Sequence, residues 1–320
     1  MRAHEELILR CAQKRRKKIG GLSDEGFEEL LLAVRENPAN FIDDREEEAF
    51  ARLGAALDRY HASCTNDDAL DDTEFKLRHD KRLKALSSSC KEAAAISPEC
   101  TDARLLIILV EESDSDKRLD DMYELAKSAP TGDNKHRPDA WDDVFAHPRL
   151  RLRDAIARAL VESSRYRMAQ QTCEQLLSDS PSDALGARRT LALVLARLED
   201  EEGLNDLDGR YPDQDNLWIN FGRAMLLYKL GRMYPAQRAL RGFDKLSRGG
   251  AYALLRPVFV EPYLPDRPQT KPGSFDEAIQ LMHDAETIID DTPGFVDWTQ
   301  GLDWLVASAK SFGRESGYGW

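Results

Sequence analysis

Apolar residues recur at three- and four-residue spacing along most of the chain. Phe27, Leu30, Leu31 and Val34 form one such set; Phe50, Leu53, Ala56, Leu57 and Tyr60 form another, and Ile156, Leu160 and Val161 a third. This period places each set on one face of a helix. No stretch alternates apolar and polar positions with β-branched enrichment. The nearest approach, residues 257–265, is interrupted by Pro257, Pro262 and Pro265, which a central strand does not tolerate. The pattern predicts an all-α fold. Several helix ends are also legible. Ser23 offers a side-chain acceptor to the first turn of the helix after it. Ser274 and Glu277 have the spacing of a capping box. The run Lys14 to Lys18 before Gly20-Gly21 suits the negative end of a helix dipole and a left-handed cap.

Repeats refine this picture. Pro98, Pro181 and Pro212 each stand between the end of one helical pattern and the start of the next, and Pro181 and Pro212 are 31 residues apart. The tetratricopeptide period is ~34 residues. The best unit starts at Asp215 and carries Trp218, Phe221-Gly222, Ala236 and Leu240. A second carries Ile156-Ala157, Leu160, Ala169, Cys173 and Pro181, and a shorter pair over 184–210 shows Leu191, Val194 and Leu195 on one face. Small residues at Ala157 and Gly222 are expected to let the first helix of a hairpin approach the second closely. Ala169 and Ala236 do the same from the second helix, and Trp218 fills the notch between hairpins. Since one hairpin cannot bury its apolar face alone, such units stack into a curved solenoid.

Four consecutive segments carry a family resemblance. They are residues 96–106 (Ile96 to Leu106), 181–191 (Pro181 to Leu191), 216–231 (Asn216 to Gly231) and 272–279 (Pro272 to Ile279). In order and spacing the chain from about Ala93 to Val306 resembles the tetratricopeptide-type proteins related to the suppressor-of-tumorigenicity family and its bacterial relatives. The resemblance implies a helical-repeat interaction protein and brings no catalytic residues. Asp179-Ser-Pro181 departs from the family's asparagine before proline. The first ~90 residues have no counterpart, which leaves their role open.

The expected organisation is an N-terminal helical region (1–90), tetratricopeptide-like repeats (91–256), a proline-rich extended arm (257–273), a C-terminal helical pair (274–310) and a tail (311–320). The arm holds five of the fourteen prolines, at 257, 262, 265, 268 and 272. It is too apolar for a free linker, with Val258, Phe259, Val260, Tyr263 and Leu264 among them. It is expected to cap the exposed end of the array, the alternative being that it fills the groove. The tail is expected to be loose unless Trp320 docks. First helices of successive hairpins line the concave face, which assigns Arg151, Asp154, Arg158, Arg188, Asn220 and Arg223 to a peptide-binding groove. Arginines there suit a carboxylate held bidentately; exposed arginines are equally common on any helix.

Charge then narrows the partner. With 45 Lys and Arg against 58 Asp and Glu, the chain has a formal charge of −13. Nucleic-acid affinity comes mainly from cations displacing counterions, so nucleic acid is disfavoured as a partner. The Lys14 to Lys18 run is expected to be a solvated helix end. The longest apolar run, Leu105 to Val110, is six residues, far below the ~20 needed to span a membrane. Met1-Arg-Ala-His-Glu-Glu lacks the apolar core of a secretory signal. Five scattered cysteines (Cys11, Cys64, Cys90, Cys100, Cys173) make no C-x-x-C pair, so they are read as reduced thiols of a cytoplasmic protein, mostly core residues. The six histidines (His4, His61, His79, His136, His147, His283) form no metal-binding helical pair. The acidic runs 43–48 and 67–72 lack the calcium-loop spacing and read as helix starts and loops. Neither a metal nor a cofactor is expected. The expected function is a non-enzymatic protein- or peptide-binding scaffold. A transcription or signalling regulator, with an N-terminal binding module and ligand-sensing repeats, is the alternative. The sequence does not indicate the oligomeric state.

Overall fold

The computed structural model describes residues 3–64, 67, 70–129, 138–212, 216–256, 258, 260 and 263–320, apart from the side chains of Asp72 and Asn216. Among these residues the regular structure is helical, without strands. The chain divides into two compact units, Met1–Arg153 and Asp154–Trp320.

The first unit holds α1 (Ala3–Ile19), α2 (Asp24–Glu36), α3 (Arg45–Ser63), α4 (Asp72–Ile96), α5 (Thr101–Glu111) and α6 (Ser115–Ser128), then the opening of α7 (His147–Glu162). Side chains set the helix starts. Ser23 Oγ accepts from Gly26 N (3.1 Å), Asp44 from the amides of Glu46 and Glu47 (3.0 and 3.1 Å), Asp71 from Thr73 and Glu74 (2.9 and 2.8 Å), and Asp114 from Lys117 (2.8 Å). Each satisfies amides that the first turn leaves without partners. α1 packs on α2 and α3, α3 forms a long hairpin with α4, and α5 joins α4 to α6. Ile8, Cys11, Phe50, Leu53, Cys90, Leu105, Leu106 and Met122 fill the core. The expected boundary at residue 90 falls inside α4. Its apolar face runs unbroken through that point, with Leu86, Cys90 and Ala93 all buried.

The second unit contains the remainder of α7, then α8 (Tyr166–Asp179), α9 (Ala187–Arg197), α10 (Glu201–Arg210), α11 (Asn216–Lys229), α12 (Met233–Leu246) and α13 (Gly250–Leu255). The proline arm follows. Where a helical pair was expected over 274–310 there are three helices: α14 (Phe275–Asp290), α15 (Phe295–Gln300) and α16 (Asp303–Ser316). The expected loose tail is docked. Tyr252 OH donates to the Gly319 carbonyl (2.7 Å), and the Tyr318 and Trp320 rings lie 5.7 and 6.4 Å from that of Tyr252.

One turn recurs three times in the second unit. Ser164, Glu199 and Gly231 adopt left-handed φ values of 57°, 61° and 71°. After each, the next amide reaches back five residues: Arg165 N to Leu160 O (2.7 Å), Asp200 N to Leu195 O (3.0 Å) and Arg232 N to Leu227 O (2.9 Å). This is the Schellman closure of a helix C-terminus. It joins α7 to α8, α9 to α10 and α11 to α12, at intervals of 35 and 32 residues. Counting back from the turns aligns Ala157 with Ala192 and Ala224, all fully buried. Gly222 falls in register with Ala155 and Thr190, two positions from where the sequence spacing put it. Ala169 and Ala236 keep equivalent places. Gly222 also faces a different helix from the one expected. A Cβ there would lie 3.1 Å from the Ala192 carbonyl oxygen, so its small size serves the approach of α11 to α9, not to α12.

Gly222→Val should therefore destabilise the chain by about 1–3 kcal/mol through overpacking against the α9 backbone. Gly209→Ala, at a helical site with open space around it, should stabilise by about 0.5–1 kcal/mol. Urea unfolding of the two variants checks both signs.

Candidate functional site

The six residues assigned to the groove have different fates. Arg151 is removed from it altogether. It belongs to the first unit, is 5% exposed, and forms paired hydrogen bonds with Glu6 (2.7 and 2.6 Å) and Asp102 (3.0 and 3.0 Å). His147 adds its Nδ1 at 3.2 Å from Glu6 and stacks on Trp141 with centroids 3.8 Å apart. The Glu6 carboxyl sits below its usual range: burial opposes ionisation, but Arg151 and then His147 outweigh it. Four of the five N–H groups of this guanidinium are thus taken by two buried carboxylates, which makes it a structural link within the first unit.

Asp154 is buried and accepts from Arg158 Nε (3.1 Å). Arg158 Nη2 donates to the Pro265 carbonyl (2.8 Å), and its guanidinium lies 5.1 Å from the Tyr263 ring centroid. Arg188 is held by Asp183 (2.8 Å), whose carboxylate also accepts the amides of Ala187 (2.6 Å) and Arg188 (3.2 Å). The Asn220 side chain meets α12 at Gly242, where a Cβ would be 2.8 Å from Asn220 Oδ1. Arg223 turns to α10, donating to Asn205 (2.7 Å) and Asp208 (2.8 Å). Arg158, Arg188 and Arg223 are thus all engaged within the chain.

What covers this face is the arm. From residue 263 to residue 273 the arm lies against the starts of α9 and α14; Pro257, Phe259 and Pro262 lie outside the described residues, as does the unit's expected start at Asp215. Arg267 is 6% exposed and donates to the Gly186 carbonyl (3.1 Å) and to Thr190 Oγ1 at the start of α9. Its Nη1 is 3.3 Å from Asp284 of α14. Asp284 also accepts from Tyr263 OH (2.8 Å) and from Trp218 Nε1 (3.0 Å). Gln280 binds the Pro268 carbonyl (3.1 Å), and Arg189 stacks over Trp218 at 4.2 Å. Burial alone would favour discharging Arg267, yet Asp284 and then Asp154 hold it charged; burial and Asp284 both push the Tyr263 hydroxyl pKa up. Tyr263, Arg267, Asp284 and the α9 start were not picked out in the sequence as a site. The only signal was that an arginine and a tyrosine sit among the prolines.

The remaining chemistry-bearing residues are also placed. The Lys14 to Lys18 run is exposed at its end, Lys17 and Lys18, and half-buried before it. Lys14 pairs with Asp44 (2.7 Å) and Glu47, Arg15 and Lys18 with Asp43 (3.2 and 3.0 Å), and Arg16 with Asp24 (2.8 Å); Lys17 lies 4.8 Å from the Phe145 ring centroid. Four cysteines are buried, and burial raises their thiols, Cys11 to about 11 and Cys90 and Cys100 to about 12; at neutral pH these are thiols and weak nucleophiles. His136 lies outside the described residues. Among the described residues no cluster of three His, Cys, Asp or Glu is arranged to hold a metal ion, and no helix is long and apolar enough to cross a membrane.

The chain matches no protein-family model, no curated protein and no solved structure. The resemblance set out above thus stands on its four segments alone.

Burial, reinforced by neighbouring Asp44, raises Glu47 to about 7 despite Lys14, while the Glu47 and Lys14 hydrogen bonds hold Asp44 well below its usual range. A carboxyl with a raised folded pKa contributes stability that is complete below its unfolded value and lost as pH rises through the folded one. From about pH 4.5 to pH 7 the wild type should therefore lose on the order of 1–2 kcal/mol relative to Glu47→Gln, the full shift being discounted for partial solvation. Urea unfolding at pH 4.5 and pH 8 measures the change.

Proposed function

We propose that this chain is a non-enzymatic protein-binding scaffold. Its hairpins stack as a tetratricopeptide-like solenoid and hold extended peptide segments against the first helices α7, α9 and α11. Two features support the stacking: the same helix closure recurs at intervals near the ~34-residue tetratricopeptide period, and Ala157, Ala192 and Ala224 fall at one register. The observation that carries the binding reading is the chain's own segment from Tyr263 to Pro268. It is irregular, bending at residues 264–266, with its Pro265 carbonyl captured by Arg158 and its side chains by Asp284 and Thr190. An irregular segment with free backbone groups is the kind of object such a face receives. The arm is then a resident occupant, which a partner segment of like chemistry replaces. Asp154 and Arg158 remain in the binding assignment, whereas Arg151, Arg188 and Arg223 are structural. A cytoplasmic location belongs to the same reading, with no cofactor required.

A fluorescent peptide spanning residues 260–271 tests this. Tyr263→Ala, which releases one anchor of the arm, should bind it at least tenfold more tightly than the wild type does. Adding Arg158→Glu should abolish that binding, while adding Arg223→Glu should leave it unchanged. A folded Tyr263→Ala variant that binds no better than wild type would reject the groove.

A further inference from the structure

The first unit carries an open groove that no described residue fills. It lies between α3 and α4 and has a volume of about 360 Å³. That is within the range of ~300–1,000 Å³ common for ligand pockets. Its floor is apolar: Ala56, Tyr60 and Leu86 are all buried there. Small residues at Ala85, Ser63 and Ser89 keep it open.

The rim has a different character. Arg59 from α3 and Arg78, Lys81 and Arg82 from α4 all line the groove, and among the described residues no acidic side chain does. The chain as a whole has a net charge of −13, so four cations around one hollow are a local reversal. Two of them are accounted for. Arg82 is bound by Asp67 (2.6 Å) and the Ser63 carbonyl (2.9 Å), and Arg59 donates to Ser89 Oγ (3.2 Å). Arg78 and Lys81 are exposed and make no ion pair among the described residues. The contrast with the Lys14 to Lys18 run is informative: there Asp24, Asp43, Asp44 and Glu47 answer the cations, whereas here Asp67 answers Arg82 alone. Like charges one turn apart on a helix repel. An anionic ligand would relieve that repulsion.

Geometry decides which anion. On α3 the lining positions 56, 59, 60 and 63 follow helical spacing, and on α4 positions 78, 82, 85 and 89 do the same. Two facing stripes of this kind make a trough that accepts one further helix, with its apolar anchors one turn apart on the floor. Cations stand on both banks. A single-chain lipid would bring one carboxylate to one bank and leave the other unanswered, whereas a helix with acidic flanks meets both. We infer that the α3–α4 groove binds an amphipathic helix of a partner protein, apolar on one face with Asp and Glu along both edges. This site is independent of the arm-covered face.

The test uses the full chain and three probes: a helical peptide with leucines at i, i+3, i+4 and i+7 flanked by glutamates, its counterpart with lysines replacing the glutamates, and sodium dodecanoate. Fluorescence anisotropy should show binding of the acidic peptide, weakening at least tenfold with Arg78→Glu/Lys81→Glu and on raising the salt. Both positions are exposed, so circular dichroism should show that the double variant folds. Ala85→Trp, which fills the trough from its rim, should reduce binding without altering charge. The lysine peptide should not bind. Equal binding of both peptides, no binding of the acidic one, an affinity indifferent to the double variant, or occupancy by dodecanoate in its place would each overturn the inference.

Discussion

A permanently charged guanidinium buried among helices governs the second unit. Arginine keeps its proton in any folded protein, so burying Arg267 obliges the surrounding chain to supply acceptors. Asp284 supplies the charge, and Gly186 O and Thr190 Oγ1 accept from the two terminal nitrogens, while Nε stays buried without a hydrogen-bond partner among the described residues. Because these groups come from the arm, α14 and the start of α9, meeting the demand of one side chain fixes three segments at once. Tyr263 and Trp218 share the same carboxylate, so the aromatic contacts of the arm and of α11 follow from it. Replacing such a group by apolar residues can be nearly neutral, but removing one member leaves a stranded charge.

The first unit uses the same device with other residues. Arg151 ties Glu6, 145 positions away, to Asp102. Glu6 opens the unit and Arg151 nearly closes it, so this pairing draws its two ends together around α5. Close by, Arg10 reaches Glu46 at 2.5 Å, and the phenyl rings of Phe50 and Phe145 flank its guanidinium. In both units charge specifies which helices meet, while the apolar core supplies the bulk of the burial.

Local features were legible in the sequence because their physics is local. The helical period of the apolar residues and the caps at Ser23 and Ser274 depend on neighbours within one or two turns. The misplaced features depend on distant partners. A buried Arg151 and an exposed one look alike until Glu6 and Asp102 are known to face it. The register of Ala157 was displaced by two positions because two of the three left-handed turns use Ser164 and Glu199, so glycine marks only the third. The arm's prolines indicated an extended path but not its destination, which Arg267 sets through residues 17 positions ahead of it and 77 behind.

The central claim, that the Arg267–Asp284 pair holds the arm on the helices, is tested most directly by a double-mutant cycle on unfolding free energy with Arg267→Met and Asp284→Leu. Each single substitution should lose about 3–5 kcal/mol, and the double variant clearly less than the sum, because the second change removes the charge that the first one strands. Additive losses would contradict the account, since the two groups would then be acting independently and the arm would be held by something else.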